Sequence, residues 1–485
     1  MSKGADASKE NIVKGDVALK AGIWYTICTV LQKGLAFLTM PVFTRLMTKS
    51  DIGLFNTYAS WISLFVTLTT FDLPLSIIRS KHEFKGDADS YSFSVLTLTT
   101  IINCIFIGLT FVFRKWILFD WLEIKPSFIL PMYLYLLFNP AIDIFATKHR
   151  AFYRYKAYVI TTIISSVLST LVAVLLVTSG SDKLTGRFYG QYLTIALVGI
   201  FFYVLVAWQG KKVKLKYWRD SFTLCFPMLF HLLSMYLLTS SDKIMITKFV
   251  GEEYTALYSI TTSAVHIASI LMQSMNRSWA PWMLDMLEYK EEKKLKTAAK
   301  PYIVAYFSLV VFCMLLAPEI ILFLGGRSYL DAVKIVPPLF VGTMFTFVYQ
   351  MYLQVEFYKK KTKVVGVATS GAAIINIILN LILIPRFGYA AAGFTTLIGY
   401  MFMFGFHYFY VGKLGYGKVF DLKFVIGILI TSLASMGLMY LSYEFVALRV
   451  ALIIVVSVAG VMFGYRYRDL ILRVLPIKGK IGGRK

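Results

Sequence analysis

Runs of around twenty apolar residues recur from Ala18 to Tyr465, and no other feature of the chain limits its folding as strongly. Each run can cross a hydrocarbon core ~30 Å thick as a single helix. Fourteen are read, near 18–44, 53–78, 91–113, 127–147, 157–179, 188–208, 221–249, 254–286, 301–323, 335–357, 364–385, 388–412, 424–442 and 446–464. Only 16% of the 485 residues are charged, whereas a soluble domain needs roughly 25% to cover its surface. The apolar excess therefore faces lipid. A single span must satisfy its own backbone hydrogen bonds, which selects helix. The chain reads as an all-α polytopic membrane protein with about 14 transmembrane helices.

The formal charge of +24 invites a nucleic-acid reading, but its placement excludes one. With the N-terminus on side one, that side holds 35 of the 50 Lys and Arg, the other side holds 12, and Lys33, Lys243 and Arg277 lie inside spans. Such loop asymmetry sets orientation and predicts cytoplasmic N- and C-termini. The remaining pull of these loops is on anionic membrane lipids. The polar stretch Met1–Asp16 lacks the small-residue site of a cleaved signal, so the first span is expected to stay as the anchor. Cys28, Cys104, Cys225 and Cys313 sit inside apolar spans as small hydrophobes, and no metal spacing is present. The longest external loop, Arg114–Pro126, carries Trp116 and Trp121 and is expected to lie at the interface. No loop is large enough to fold around its own core, and no nucleotide motif or nucleophile–base pair appears. These absences point to a transporter with no cofactor and no catalytic residues.

An internal repeat organises the chain. Gly53-Leu-Phe55 falls over Ala256-Leu-Tyr258 at an offset of 203 residues, with Arg45 over Lys248. A weaker echo links Gly186–Gly190 to Phe387–Ala391. Six spans separate the copies, so both enter the membrane in the same direction, as in two-lobed transporters. This predicts two pseudo-symmetric six-helix lobes plus two extra C-terminal helices: residues 1–217, 218–412 and 413–485.

The pattern Pro41-x-x-Thr44-Arg45-Leu46-x-x-x-x-Asp51-x-Gly53-Leu-Phe55 resembles the polysaccharide flippases, of the O-antigen and capsule type, in the multidrug/oligosaccharidyl-lipid/polysaccharide exporter superfamily. So does Asn380-Leu-Ile-Leu-Ile-Pro385-x-x-Gly388, although Ala391-Ala392-Gly393 then reverses the usual order of small residues. The resemblance covers roughly 15–412. It implies movement of undecaprenyl-diphosphate-linked oligosaccharide from the inner to the outer leaflet for surface polysaccharide synthesis, alongside other polysaccharide-assembly proteins. A cation-coupled drug or metabolite exporter of the same superfamily is the alternative, and a membrane-embedded glycan-assembly enzyme is a third reading.

Ionisable groups at the bilayer centre cost about 2.5–3.5 kcal/mol each, so they face a cavity or a partner. Lys33 lies near the midpoint of the first span, on one face with Thr26 and Thr29. The second span carries a stripe of Asn56, Ser60, Ser63, Thr67 and Thr70, with Asp72 beyond it. The eighth repeats the design with Ser259, Thr262, His266, Gln273 and Arg277. Lys33, Asn56, Ser60, Thr67, His266, Gln273 and Arg277 are the substrate-binding candidates, the cations suiting a diphosphate. Asp72, His231, Asp242 and Lys243 are the coupling or gating candidates, and His266 is a possible proton carrier because imidazole titrates near neutrality. Asp143 is expected to pair with Arg79 or Lys33. Lone His407 reads as structural. Pro41, Pro74, Pro140 and Pro227 are expected to kink their spans.

Overall fold

The computed structural model describes residues 2–84, 86–361 and 363–466. Seventeen α-helices follow one another: α1 (Ser2–Leu46), α2 (Lys49–Thr70), α3 (Ser76–Glu83), α4 (Ala88–Val112), α5 (Pro126–Ala151), α6 (Tyr155–Ser179), α7 (Lys183–Phe188), α8 (Thr194–Gly210), α9 (Leu215–Phe249), α10 (Glu252–Glu288), α11 (Glu292–Leu315), α12 (Ala317–Gly325), α13 (Val336–Tyr358), α14 (Lys363–Phe387), α15 (Ala390–Val411), α16 (Leu422–Glu444) and α17 (Val446–Arg466). Short 3-10 and π turns join some of them, and no strand occurs among the described residues. Fourteen helical segments are long and apolar enough to cross a membrane, and they fall on the fourteen expected runs.

Helix boundaries repeat at the offset seen in the sequence. Leu46 and Phe249 end α1 and α9, and Lys49 and Glu252 open α2 and α10, each pair 203 residues apart. The caps differ. Thr48 caps α2 through a capping box, its hydroxyl accepting from the Asp51 N–H at 3.1 Å while Asp51 accepts from the Thr48 N–H at 3.4 Å. At the equivalent place α10 has Gly251 at φ 127°, a conformation that suits glycine.

The second expected span, 53–78, is not continuous. Its helix stops at Thr70, Phe71 and Asp72 take left-handed φ of 49° and 53°, and a 3-10 turn at Leu73–Leu75 leads into α3. Pro74 explains the break: its ring would strike the carbonyl of Thr70, four residues back, and it disfavours helix at Leu73. Pro41, Pro140 and Pro227 lie instead inside helices that continue past them. The ninth run breaks too, at Leu316, just before Pro318. Between α10 and α11 a short turn with Lys290 left-handed reverses the chain, and Glu292–Lys300 forms the first turns of α11.

Packing divides the chain into two compact units, Met1–Leu233 and Ser234–Lys485, so the division falls within α9. The first unit holds two apolar clusters, one around Phe55, Tyr58, Phe128 and Phe188, the other around Leu73, Tyr91, Ala141 and Phe202. Arg187 is buried beside the former, its guanidinium 4.2 Å from the Phe43 ring centre and 3.9 Å from that of Phe55. The second unit is built on α13, buried along nearly its whole length. α17 buries no residue, as suits a helix whose surroundings are lipid.

Candidate functional site

In the first unit most of the polar stripe is turned back on its own helix. Asn56 donates to the Ile52 carbonyl at 2.8 Å, Ser60 to Asn56 at 2.9 Å and Thr67 to Ser63 at 2.9 Å. Ser60 is buried. On α1, Thr26 and Thr29 likewise bond the carbonyls of Gly22 and Tyr25. Lys33 is exposed and makes no hydrogen bond or ion pair among the described residues. A hydroxyl satisfied four residues back can sit in lipid at little cost, whereas an ammonium cannot. Lys33 therefore remains the group on this helix that asks for water or an anion.

The break in α2 creates the one chemically varied cavity described in this unit, about 400 Å³ in volume. Thr67, Thr70, Asp72, Asp143, Thr147 and Arg150 line it. Asp72 is there because the left-handed turn projects it past the end of α2. Asp143 and Arg150 are seven residues apart on α5, hence on one face. Asp143 accepts from Asn139 at 3.3 Å, and neither carboxylate forms an ion pair among the described residues. The expected partners of Asp143 are engaged or absent: Arg79 binds Glu83 through Nε at 2.7 Å. Arg150 escaped the sequence reading because it ends a basic run, Lys148-His149-Arg150, that reads as a loop signal. Its neighbour Lys148 is buried instead, against Asp89 and the Gln209 side-chain oxygen. His231, on α9, is half-buried, and its Nδ1 has no hydrogen-bond partner.

The second unit holds a closed network. Asp242, fully buried on α9, accepts from the Tyr258 hydroxyl, from Asn380 Nδ2 at 2.5 Å and from Thr396 Oγ1 at 2.9 Å. Asn380 in turn donates to Asn376 Oδ1 at 3.1 Å and accepts from Thr395. A carboxylate, two amide oxygens and three hydroxyls are all hard donors, the set that suits an alkali or alkaline-earth cation, and here they satisfy one another. Lys243, adjacent and half-buried, points away and forms no ion pair among the described residues. Sequence reasoning found Asp242 and missed its partners. The available signal was Asn376 and Asn380, two amides one turn apart in an otherwise apolar helix.

Along α10 the stripe changes character. Ser259 is buried and Thr262 half-buried, while His266, Gln273 and Arg277 are exposed. Nearby, Asn276 bonds Gln350, and its oxygen accepts from the Tyr302 hydroxyl at 3.3 Å. A guanidinium and an amide, Arg277 and Gln273, on an exposed helix face need an aqueous or anionic neighbour, since lipid offers them none.

Between the spans, Asp87 binds the Lys214 ammonium and the Tyr217 hydroxyl. The Lys214 ammonium, with Ser90 and Tyr217, holds the Asp87 carboxyl down at about 2, and Lys214 is raised by Asp87 in return. This clasp joins the start of α4 to the start of α9.

A family model described as polysaccharide biosynthesis protein matches residues 18–287. An uncharacterized membrane protein of Methanocaldococcus jannaschii is 22% identical over 465 residues, covering 87% of this chain and 90% of that protein. Among solved structures, the fold is shared with the lipid II flippase MurJ in an inward closed conformation, with a TM-score of 0.70 and 17% identity over 93% of this chain and all of that one. It is also shared with an inward-facing multidrug resistance MATE family transporter of the MOP superfamily, with a TM-score of 0.57 and 15% identity over 87% of this chain and 99% of that one.

Proposed function

The chain belongs to the polysaccharide biosynthesis protein family, and from that premise we propose that it is a flippase for lipid-diphosphate-linked oligosaccharide. It carries undecaprenyl-diphosphate-linked repeat units from the inner to the outer leaflet of a bacterial cytoplasmic membrane by alternating access, with both termini cytoplasmic. The observation that carries this reading is the set of exposed cations inside spans, Lys33 on α1 and Arg277 on α10, the latter in line with Gln273 and His266. Cationic side chains suit a diphosphate through charge-assisted hydrogen bonds, and amide and imidazole groups suit sugar hydroxyls. The shared fold with a lipid II flippase supports a lipid-borne glycan as the class of cargo.

The test is transfer of a fluorescent lipid-linked oligosaccharide across proteoliposome membranes. Lys33→Ala and Arg277→Ala should each slow transfer at least tenfold with protein level unchanged, and Lys33→Arg should restore part of it. Normal transfer by both alanine variants would remove these two cations from the mechanism. For orientation, cysteine at Lys212 or Lys360 should react only with permeant reagents, and cysteine at Glu252 should react from outside intact cells.

A second reading draws on the first unit. The cavity at the α2 break holds two carboxylates, Asp72 and Asp143, beside one guanidinium, a lining that also suits a cationic drug or a coupling cation. Efflux of a cationic dye by cells lacking other exporters, lost in Asp72→Asn, would favour a drug exporter over a glycan flippase.

A further inference from the structure

A second buried titratable pair in the second unit involves His407, which the sequence offers as a lone structural residue. Glu356, near the end of α13, and His407, on α15, are both completely buried. Glu356 Oε1 and His407 Nδ1 are 2.7 Å apart. The imidazole stacks on the Tyr349 ring, centroids 5.5 Å apart and planes 17° from parallel. Tyr352, one turn before Glu356 on the same face of α13, is walled by Phe404, Tyr408 and Phe420.

Three atoms in this neighbourhood have no hydrogen-bond partner: Glu356 Oε2, His407 Nε2 and the Tyr352 hydroxyl. Each such atom is costly when left unsatisfied. Helix packing alone does not require them, because one apolar pair would fill the same space. Buried atoms of this kind mark a site that changes its protonation or admits water.

We propose that Glu356 and His407, with the Tyr349 ring stacked on the imidazole, form a proton-binding site of the second unit. With one proton shared between carboxyl and imidazole the pair is electrically neutral and sits at low cost in an apolar interior. Loss of that proton leaves a net negative charge sealed between α13 and α15, which drives the two helices to admit water. The titratable groups set against the pair are tyrosines, Tyr349 and Tyr352 on α13 and Tyr408 on α15. No charged side chain of the helices packed on them, α10, α11, α14 and α16, makes a hydrogen bond or ion pair with it among the described residues. α15 also carries Thr395 and Thr396 of the Asp242 network, so a proton at His407 acts on the helix that closes that network. Where the flippase reading holds, this gives transport a proton dependence located at α13 and α15 instead of at His266.

The site is tested first without transport. Protein labelled with 15N-histidine and reconstituted in lipid nanodiscs contains five histidines, and the His407 resonance is the one missing in His407→Gln. It should titrate reversibly with pH and move in Glu356→Gln. If His407→Gln does not fold, the resonance that moves in Tyr349→Leu, which removes the ring stacked on the imidazole, identifies it. A His407 signal that is constant with pH, or indifferent to Glu356→Gln in folded protein, overturns the proposal and leaves a structural pair. The second arm is the pH profile of glycan transfer, which should be steep in the parent and flat in Glu356→Gln. A parent that transfers no glycan would defeat the flippase reading, while the resonance titration would stand on its own.

Discussion

The two units place equivalent aromatic residues against hubs of opposite charge. Phe55 and Tyr258 are 203 residues apart and occupy the same place in the repeat. In the first unit the Phe55 ring lies 3.9 Å from the buried Arg187 guanidinium, with Phe43 on another side. In the second, the Tyr258 hydroxyl donates to the buried Asp242 carboxylate. One phenolic oxygen separates a ring that offers its π face to a cation from one that donates a proton to an anion. The acids differ in the same way. Asp242 is saturated by three donors, whereas Asp72 stands at a cavity without an ion pair among the described residues. A repeated architecture has thus kept its helices and diverged in its polar interior: the second unit uses its carboxylate to hold helices together, and the first leaves its carboxylate accessible.

The largest expected effect breaks that comparison at its centre. Asp242→Ala leaves the Tyr258 hydroxyl, Asn380 amide and Thr396 hydroxyl without their acceptor in a fully buried place. At about 1–3 kcal/mol for each buried orphan, the loss is about 3 kcal/mol or more. Asp72→Ala removes no hydrogen bond of the carboxylate among the described residues and should leave stability within about 0.5 kcal/mol. Thermal midpoints of the two variants in nanodiscs make the check; equal loss would mean both acids are structural.

Next comes the hydroxyl itself. Tyr258→Phe converts the second unit's aromatic residue into that of the first and removes one donor to a charged acceptor, for an expected loss of about 1.5–3 kcal/mol. Arg187→Met, which removes the cation but keeps a long side chain, should cost less, about 1–2 kcal/mol from two ring contacts. If Arg187→Met proves the costlier change, the first unit's hub is as strong as the second's and the asymmetry argued from the acids is wrong.

How far these features were legible depends on whether their signal is local. The fourteen spans were, because the length of an apolar run is read along one dimension and lipid permits little besides helix. The α1–α2 and α9–α10 repeat was legible for the same reason, down to helix ends at a fixed offset. The α2 break was half legible: Pro74 was noted as a kink, but whether a helix stops at a proline or runs through it depends on the backbone around it, and the helices with Pro41, Pro140 and Pro227 run through. Partners across helices were not legible. Asp242 needed Asn380 and Thr396, 138 and 154 residues away, and Glu356 needed His407, 51 residues away. Helical periodicity assigns a side chain to a face but does not say which other helix that face meets. The stripe on α2 shows the converse error, since Asn56 and Ser60 bond their own backbone and a periodic polar face alone does not mark a surface for ligand.

The smallest effect concerns the clasp outside the spans and follows from its titration. Folding lowers the Asp87 carboxyl to about 2, first through the Lys214 ammonium and then through Ser90 and Tyr217. An unfolded aspartate titrates near ~3.9, so the folded state binds fewer protons between these values and gains stability as pH rises through that window. The contribution is complete above about pH 4, falls as pH drops, and is gone below about pH 2. Lys214 is exposed and Asp87 partly so, so solvent and salt screen the pair and the gain is small. Asp87→Asn should therefore melt slightly below the parent at neutral pH, the gap should narrow from pH 4 downward and close near pH 2, and high salt should shrink it throughout. The second unit offers the control: Lys300 holds Asp421 through an equivalent bond at 2.6 Å outside the spans, and Asp421→Asn should show the same direction of pH dependence. A gap that persists unchanged into acid would show that Asp87 acts through its hydrogen bonds to Tyr217 and Ser90, which asparagine fails to reproduce, and not through its charge.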